Sequence, residues 1–299
     1  MSQMAKTKTL SGGRSHPAGQ HYRTLQALGR VLLYVTVIFL GFTFAMPLVW
    51  MISTSLKIDP QVYHIPPIWI PWPMRPMNYV EVLTKYEFGM YFLNTMRYAI
   101  PVVIGGVLSS ALVAYSFGRL RWWGRDVFFA LCLGTLMIPF QVRMVPLYIT
   151  FSKIGWVNSY KPLIVPSFFG GASAIFLMRQ FFMTIPRDLS DAARVDGCNE
   201  LRIFLSIILP LSKPVLAVVA LNYFMGAWNN YLGPLIYLNR QQLYPLALGQ
   251  RMLNSNFNEE LMWPYQMAAS TAVVAPVIVI FFFTQRTLIE GITLTGIKG

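Results

Sequence analysis

Six long intervals of this chain contain no Asp, Glu, Lys or Arg, and they constrain its fold more than any other feature. They are residues 31–56, 98–118, 127–142, 162–178, 214–239 and 261–285. In a helix, about 20 mainly apolar residues cross the roughly 30 Å hydrocarbon core of a bilayer. Because a helix satisfies its own backbone hydrogen bonds, which lipid requires, the pattern predicts an all-α membrane protein with six transmembrane helices. The third interval is the shortest, so its far boundary is the least defined.

The composition indicates that much of the protein's surface contacts lipid. Only 12% of the 299 residues are charged and 55% are hydrophobic, whereas soluble proteins carry about 25% charged residues. The net charge of +13 does not point to nucleic acid, because the basic residues lie in short groups between the apolar intervals. A nucleic-acid-binding protein would gather them on one face or tail. We therefore expect a lipid membrane as partner and no nucleic acid.

The distribution of basic residues predicts the orientation of the chain. Fifteen lysines and arginines lie in the two terminal segments and in the connections on the same side of the membrane, against eight on the other side. Connections that stay in the cytoplasm carry the excess of positive charge. Both termini are therefore expected in the cytoplasm.

The sequence offers no catalytic or metal-binding constellation. The two cysteines, Cys132 and Cys198, lie in different kinds of segment, and the three histidines have no ligand spacing. The six intervals lack the acidic residues that an ion-coupled secondary transporter would use, and they lack the cluster that a membrane-embedded enzyme would need. No phosphate-binding G-x-x-x-x-G-K-[ST] segment occurs, so this chain is expected to bind no nucleotide or other cofactor.

The longest inner connection predicts two short helices joined by a turn. We call residues 184–213 the bracket. Pro186 suits the first turn of a helix, and Asp196-Gly197 suits a turn, because glycine readily adopts a positive φ. Helical spacing places Leu189, Ala192 and Ala193 on one face of the first helix. After an Asn199 cap, it places Leu201, Phe204, Leu205 and Ile208 on one face of the second.

The bracket also carries a spaced motif. It reads Asp191-Ala192-Ala193, three residues, Gly197, nine residues, then Ile207, one residue, and Leu209-Pro210. This resembles the E-A-A-x3-G-x9-I-x-L-P motif of ABC importer permeases, with Asp191 in place of the glutamate. Further similarity to the MalG-like branch of carbohydrate permeases lies at residues 144–148, 185–189, 228–229 and 291–299.

The resemblance implies a type I ABC importer permease that moves a sugar, with a di- or oligosaccharide expected and a glycerol-phosphate or polyol as the alternative. It also implies three kinds of partner. These are a homologous MalF-like second permease, two ATPase subunits that hold the ATP and Mg, and an extracytoplasmic solute-binding protein. The implied coupling residues are Asp188, Leu189, Asp191, Ala192, Ala193, Asp196, Gly197, Ile207, Leu209 and Pro210.

The fifth interval holds a polar and aromatic group consisting of Asn222, Trp228, Asn229, Asn230 and Tyr231. Polar residues within a membrane face the bundle interior or an aqueous path. One interpretation is hydrogen bonding between helices. The other is a sugar pathway, in which amides bind hydroxyls and aromatic rings stack on the sugar. Both stay open from the sequence.

The expected organisation has four parts. Residues 1–25 form a disordered cytoplasmic tail, 26–90 the first transmembrane helix and an outer loop, 91–285 the transporter core with the bracket, and 286–299 a cytoplasmic tail. The resemblance implies that the last tail reaches the interface of the two ATPases. There Ile292, Leu294 and Ile297 would supply apolar contacts.

Overall fold

The computed structural model describes the backbone of residues 17–256 and 263–296, with side chains described for 26–252 and 263–285. All regular structure within these ranges is helical. The helices are α1 (Pro17–Ser55), α2 (Asp59–Val62), α3 (Met77–Thr84), α4 (Phe88–Arg119), α5 (Arg125–Gly134), α6 (Phe140–Lys153), α7 (Lys161–Ile164), α8 (Ala172–Thr184), α9 (Asp188–Val195), α10 (Glu200–Ile203), α11 (Leu209–Leu211), α12 (Lys213–Trp228), α13 (Leu232–Tyr237), α14 (Leu246–Asn256) and α15 (Trp263–Gly296). Short 3-10 turns cover Thr135–Met137, Val165–Phe169 and Gln241–Leu243, and Phe204–Ile208 is π-helical.

The chain forms two compact units, Met1–Ile52 and Ser53–Gly299. Most of α1 lies in the first, and its apolar window is exposed on every side, as suits a helix in lipid. This helix begins at Pro17, so the expectation of a disordered tail over residues 17–25 is wrong. Proline is favoured in the first turn, and extending a helix that a long apolar segment has already nucleated costs little.

Four helical segments are long and apolar enough to cross a bilayer alone. They are Gln26–Ser55, Phe88–Arg119, Lys161–Thr184 and Trp263–Gln285. Two further pairs pass the same test but are bent, by 97° between Arg125–Met137 and Phe140–Lys153 and by 83° between Glu200–Leu211 and Lys213–Trp228. Within the described residues, the helices able to cross a bilayer therefore number four, or up to six if each bent pair is one span.

The third and fifth predicted spans are not single straight helices. The third breaks before Pro139, where Ile138 is extended with φ −91° and ψ 106°; proline lacks an N–H and disfavours helical geometry in the residue before it. The fifth ends at Trp228, and the chain re-forms a helix at Leu232. Between them, the Asn230 side chain accepts a hydrogen bond from the Gly233 backbone N–H at 3.0 Å, which competes with helical pairing.

The loop between α1 and α4 is joined to the last long helix through a carboxylate. Glu81 in α3 accepts a hydrogen bond from the Tyr265 hydroxyl in α15 and pairs with Arg75 at 2.9 Å. The Tyr265 hydroxyl, and then the Arg75 guanidinium, lower the pKa of Glu81 below its usual value. The carboxylate therefore stays ionised, and the contact persists, until the pH falls well into the acid range.

The core of the second unit is built around α4, which packs against α8 and α12. Small residues let the neighbours approach: Ala111 and Ala114 are fully buried. A Cβ added to Gly106 would lie 2.5 Å from the Tyr223 ring of α12, and one added to Gly105 would lie 2.5 Å from the Phe168 ring. Close packing through small residues is the usual way in which membrane helices associate, because lipid provides no hydrophobic driving force between them.

We expect Gly106→Ala to destabilise the second unit by about 1–3 kcal/mol, because the added methyl overlaps the Tyr223 ring. Thermal unfolding of the detergent-solubilised protein measures this. Gly134→Ala is the matched control, since a Cβ there meets no described atom within 4 Å. Equal midpoints for the two variants would contradict the packing argument.

Candidate functional site

The first half of the bracket is a helix followed by a turn, as predicted, although Pro186 lies just before α9 and not in its first turn. Helix α9 has Asp188 and Asp191 in its first turn and Arg194 in its last, in line with the helix dipole. The turn that ends it places Gly197 at φ +79°. A Cβ there would meet no described atom within 4 Å, so the requirement for glycine is conformational rather than steric.

The second half is capped as predicted, but it buries a different face. The Asn199 side chain accepts a hydrogen bond from the Arg202 backbone N–H at 2.9 Å, which confirms the cap. The predicted apolar face is divided in the structure, since Phe204 and Ile208 are buried together with Ile203, whereas Leu201 and Leu205 are exposed. The segment is apolar around most of its circumference, so periodicity allowed two faces and packing selected one.

The bracket is held by the last turn of α4 through Arg119. This guanidinium donates hydrogen bonds to the Ile185 carbonyl at 2.6 Å, the Pro186 carbonyl at 3.2 Å and the Ser190 hydroxyl at 2.7 Å. Ser190 is buried within α9. Arg119 therefore joins the end of a long membrane helix to both the entry and the first turn of the bracket. We call these contacts the Arg119 clamp.

A chain of charges ties the two halves of the bracket together. Arg194 contacts Asp191 at 2.5 Å and Glu200 at 2.7 Å. Glu200 also accepts a hydrogen bond from the Tyr115 hydroxyl of α4 at 2.6 Å. Exposed ion pairs each stabilise a protein by under about 1 kcal/mol. The network therefore contributes little to stability and mainly holds α9 and α10 in their relative orientation. The motif carboxylate Asp191 thus contacts its own helix.

The outward side of α9 carries both apolar and charged residues, since Asp188, Asp191 and Arg194 are exposed beside the apolar positions. Ser190 and Ala193 are buried, whereas Leu189 and Ala192 are exposed and Val195 is 88% exposed. The sequence places Leu189, Ala192 and Ala193 on one face of α9, but the structure separates them, because Ala193 packs inward. The hydrogen bond from Arg119 to Ser190 holds the Ser190 side of α9 inward. Leu189, Ala192 and Val195 therefore face away from the rest of the second unit.

Two cavities lie beside the break in the fifth span. The first, of about 290 Å³, is lined by Asn222 and Asn230 together with Tyr98, Ser173 and Tyr223. The second, of about 520 Å³, is lined by Asn229, Asn230 and Tyr231 and includes Arg143. The structure thus brings four of the five predicted pathway residues to cavity walls. Asn230 lines both.

Trp228 is the exception, because it lies in the core and lines neither cavity. Its side chain is 2% exposed, stacks on Phe224 with ring centroids 5.3 Å apart, and contacts Phe92 edge-on at 6.0 Å. Among the described residues its Nε1 has no hydrogen-bond partner. Trp228 is the last residue of α12. Because the helix ends there, Trp228 packs in the core while the following residues, Asn229 and Asn230, line the second cavity.

Several residues at these sites were not singled out from the sequence. In the sequence, Arg119 contributes only to the distribution of basic residues that predicts orientation. Its position at the end of a predicted span is the signal that places it next to the adjoining loop. Tyr98 and Tyr223 carry no local signal. The Tyr98 hydroxyl bonds the Ala227 carbonyl of α12, and Tyr223 pairs with Ser110 at 3.0 Å. Both contacts join residues far apart in sequence.

The expected ATPase contacts of the C-terminal tail and the expected lack of a metal site remain predictions. The backbone of α15 continues as helix to Gly296, but the side chains of Ile292 and Leu294, and Ile297 altogether, lie outside the described residues. Within the described ranges, no group of three or more His, Cys, Asp and Glu side chains is placed to hold a metal ion.

The fold and these sites define a class: a multi-pass helical membrane protein with cavities beside the break in its fifth predicted span and a connection between helices that is fixed as a helix–turn–helix. Residues 106–293 match the binding-protein-dependent transport system inner membrane component, and the chain belongs to this family. The resemblance to ABC importer permeases and the inner-membrane localisation are thereby confirmed.

Similar proteins support the same assignment. The arabinooligosaccharides transport system permease protein AraQ of Halalkalibacterium halodurans is 33% identical over 90% of this chain and 96% of that protein. The sn-glycerol-3-phosphate transport system permease protein UgpE of Yersinia pestis bv. Antiqua is 32% identical over 91% of this chain and 98% of that protein. A chain in the crystal structure of a bacterial ABC transporter involved in the import of the acidic polysaccharide alginate has the same fold. Its TM-score is 0.77, with 23% identity over 89% of this chain and 98% of that one.

We expect Arg119→Gln to loosen the bracket without unfolding the spans. Hydrogen bonds that involve a charged group are worth about 1.5–3 kcal/mol, so their loss should speed local opening by roughly tenfold or more. Hydrogen–deuterium exchange over residues 186–197 measures this. The control is Arg202→Gln, which removes an exposed arginine that makes no side-chain ion pair among the described residues. Unchanged exchange in Arg119→Gln would contradict the clamp.

Proposed function

We propose that this chain is the permease subunit of an ATP-driven sugar importer, and that the bracket couples it to the ATPase. The observation that carries the proposal is the bracket itself. A loop with the spacing of the ABC permease motif is fixed to α4 by Arg119 and presents Leu189, Ala192 and Val195 outward. An exposed apolar helix face on a rigid support suits docking in a cleft of a partner.

Coupling then proceeds by rigid-body movement. Closure of the ATPases displaces α9, and the Arg119 clamp passes the displacement to α4. Because α4 packs closely on α8 and α12, the helices around the cavities move with it, and access alternates between the two sides of the membrane.

In this scheme Asp188, Leu189, Asp191 and Ala192 lie on or beside the docking surface. Ala193 and Gly197 set the shape of the bracket, and Ile207, Leu209 and Pro210 join it to the next span.

The other subunits supply what this chain lacks. ATP and Mg bind to two ATPase subunits, and this chain is non-catalytic. A homologous second permease completes the pathway, and an extracytoplasmic solute-binding protein delivers the solute. The family description supports the last point, since it names transport that depends on a binding protein.

A sugar is the proposed solute because the first cavity offers neutral hydrogen-bonding groups. Asn222, Asn230 and Ser173 can bind hydroxyls, while Tyr98 and Tyr223 combine a polar tip with an aromatic ring. The arabinooligosaccharide permeases among the relatives support this choice.

A glycerol-phosphate is the second candidate, favoured by one residue. Arg143 lines the second cavity and has no ion pair among the described residues. A guanidinium binds phosphate bidentately, and several relatives are sn-glycerol-3-phosphate permeases.

The docking proposal predicts that Ala192→Asp detaches the ATPase. The side chain is exposed, so the variant should fold, but a charge buried in the interface should weaken association by about 30-fold, corresponding to a hot-spot loss of about 2 kcal/mol. Copurification of the ATPase subunit measures this, with Ser206→Asp as control at an exposed position on the π-helical turn. If Ala192→Asp retained the ATPase as well as Ser206→Asp does, α9 would not be the docking helix.

Arg143→Gln separates the two solute classes. For a phosphate-bearing solute, loss of the guanidinium should lower uptake by about tenfold or more, since charged hydrogen bonds contribute about 1.5–3 kcal/mol. For a neutral oligosaccharide, uptake should change by less than about threefold, because the groups proposed to bind its hydroxyls line the first cavity, which does not include Arg143. Solute uptake into proteoliposomes that contain the whole transporter measures both. A tenfold loss of neutral sugar uptake would contradict the assignment of Arg143 to phosphate.

A further inference from the structure

A polar cleft of about 510 Å³ opens beside the bracket, between the connection from α4 to α5 and the start of α9. It is separate from the two cavities between the spans. Its lining includes three arginines, one tryptophan and one aspartate: Arg121, Arg125, Arg187, Trp122 and Asp126.

The described part of the chain balances the charge of this cleft only in part. Asp126 pairs with Arg125, with 2.9 Å between the Arg125 Nε and the carboxylate. Among the described residues, Arg121 and Arg187 have no carboxylate partner. Two exposed guanidinium groups from separate segments therefore line one concave site. Planar guanidinium groups bind phosphate oxygens bidentately, and their charge favours an anion.

The surroundings of the cleft point to a lipid rather than a soluble anion. Trp123, next to the lining residues, is 93% exposed, and tryptophan is enriched at membrane–water interfaces. Along α5, Val127, Phe128 and Leu131 are also exposed. Since α5 belongs to a candidate membrane span, these apolar side chains continue from the cleft into the hydrocarbon region. A phosphate in the cleft would thus have an apolar surface beside it for acyl chains.

We propose that this cleft binds the phosphate headgroup of an anionic phospholipid, in the leaflet adjoining the bracket. Arg121 and Arg187 contact the phosphate, Trp122 and Trp123 lie at the level of the headgroups, and α5 supports the acyl chains. The bound lipid joins the α4–α5 connection to the entry of α9. The lipid thus lies next to the Arg119 clamp, which also contacts the entry of α9. The inference depends on the membrane placement of the family and not on which solute is carried.

The test uses the whole transporter complex in nanodiscs of phosphatidylcholine with increasing phosphatidylglycerol. Brominated phosphatidylglycerol reports occupancy by quenching tryptophan fluorescence, and mass spectrometry counts the lipid retained after detergent extraction. The double variant Arg121→Gln/Arg187→Gln should bind phosphatidylglycerol roughly 100-fold more weakly, because each arginine loses a charged contact to the phosphate worth about tenfold in affinity.

The matched control removes two other exposed cations, Arg202→Gln/Lys213→Gln, at positions outside the cleft. It should keep near-normal phosphatidylglycerol binding. The conservative pair Arg121→Lys/Arg187→Lys should bind more tightly than the glutamine pair, which separates loss of charge from loss of structure. Equal lipid retention in the glutamine pair and the control would overturn the proposal. So would displacement of the lipid by millimolar inorganic phosphate, which would make the cleft a site for free anions.

Discussion

The need to satisfy every backbone hydrogen bond in hydrocarbon governs this structure, and its exceptions mark the functional regions. Irregular backbone at membrane depth is tolerated where it is buried in protein or lines a polar cavity. The break in the fifth predicted span follows that rule, because Asn229 and Tyr231 line the second cavity. At the break in the third, Phe140 lines the second cavity, whereas Ile138 and Pro139 are exposed. The interruption of the fifth span therefore contributes directly to the candidate solute path.

Helix α4 connects the two ends of the proposed mechanism. Towards one end it contributes Tyr98 to the first cavity. At the other end it supplies Tyr115 and Arg119, which hold the bracket. Its small residues bring α8 and α12 into close contact, and closely packed interiors transmit displacement rather than absorb it. One helix thus joins the docking surface to the cavities through direct contacts at both ends.

Charge is concentrated where the bracket meets the rest of the second unit. Arg119 and Arg194 are used internally, by carbonyl oxygens and by the carboxylates of Asp191 and Glu200. Arg121 and Arg187 have no such partners among the described residues and line the adjoining cleft. The excess of positive charge that indicated topology in the sequence therefore divides into two groups, one that holds the bracket and one available to an outside anion.

The sequence by itself determined the class of fold, the family and the position of the bracket. Absence of charge over span-length intervals leaves helices in lipid as the stable solution, and the spacing around Asp191 and Gly197 depends on turn geometry that is local in the chain. The Gly197 turn and the Asn199 cap were predictable for the same reason. Which face each helix buries was decided only by tertiary structure. Ala193 turned inward, Leu201 and Leu205 outward, and Trp228 into the core because packing partners and the Arg119 clamp come from residues far away in sequence. An apolar segment has more than one face that can be buried, and only its neighbours select among them.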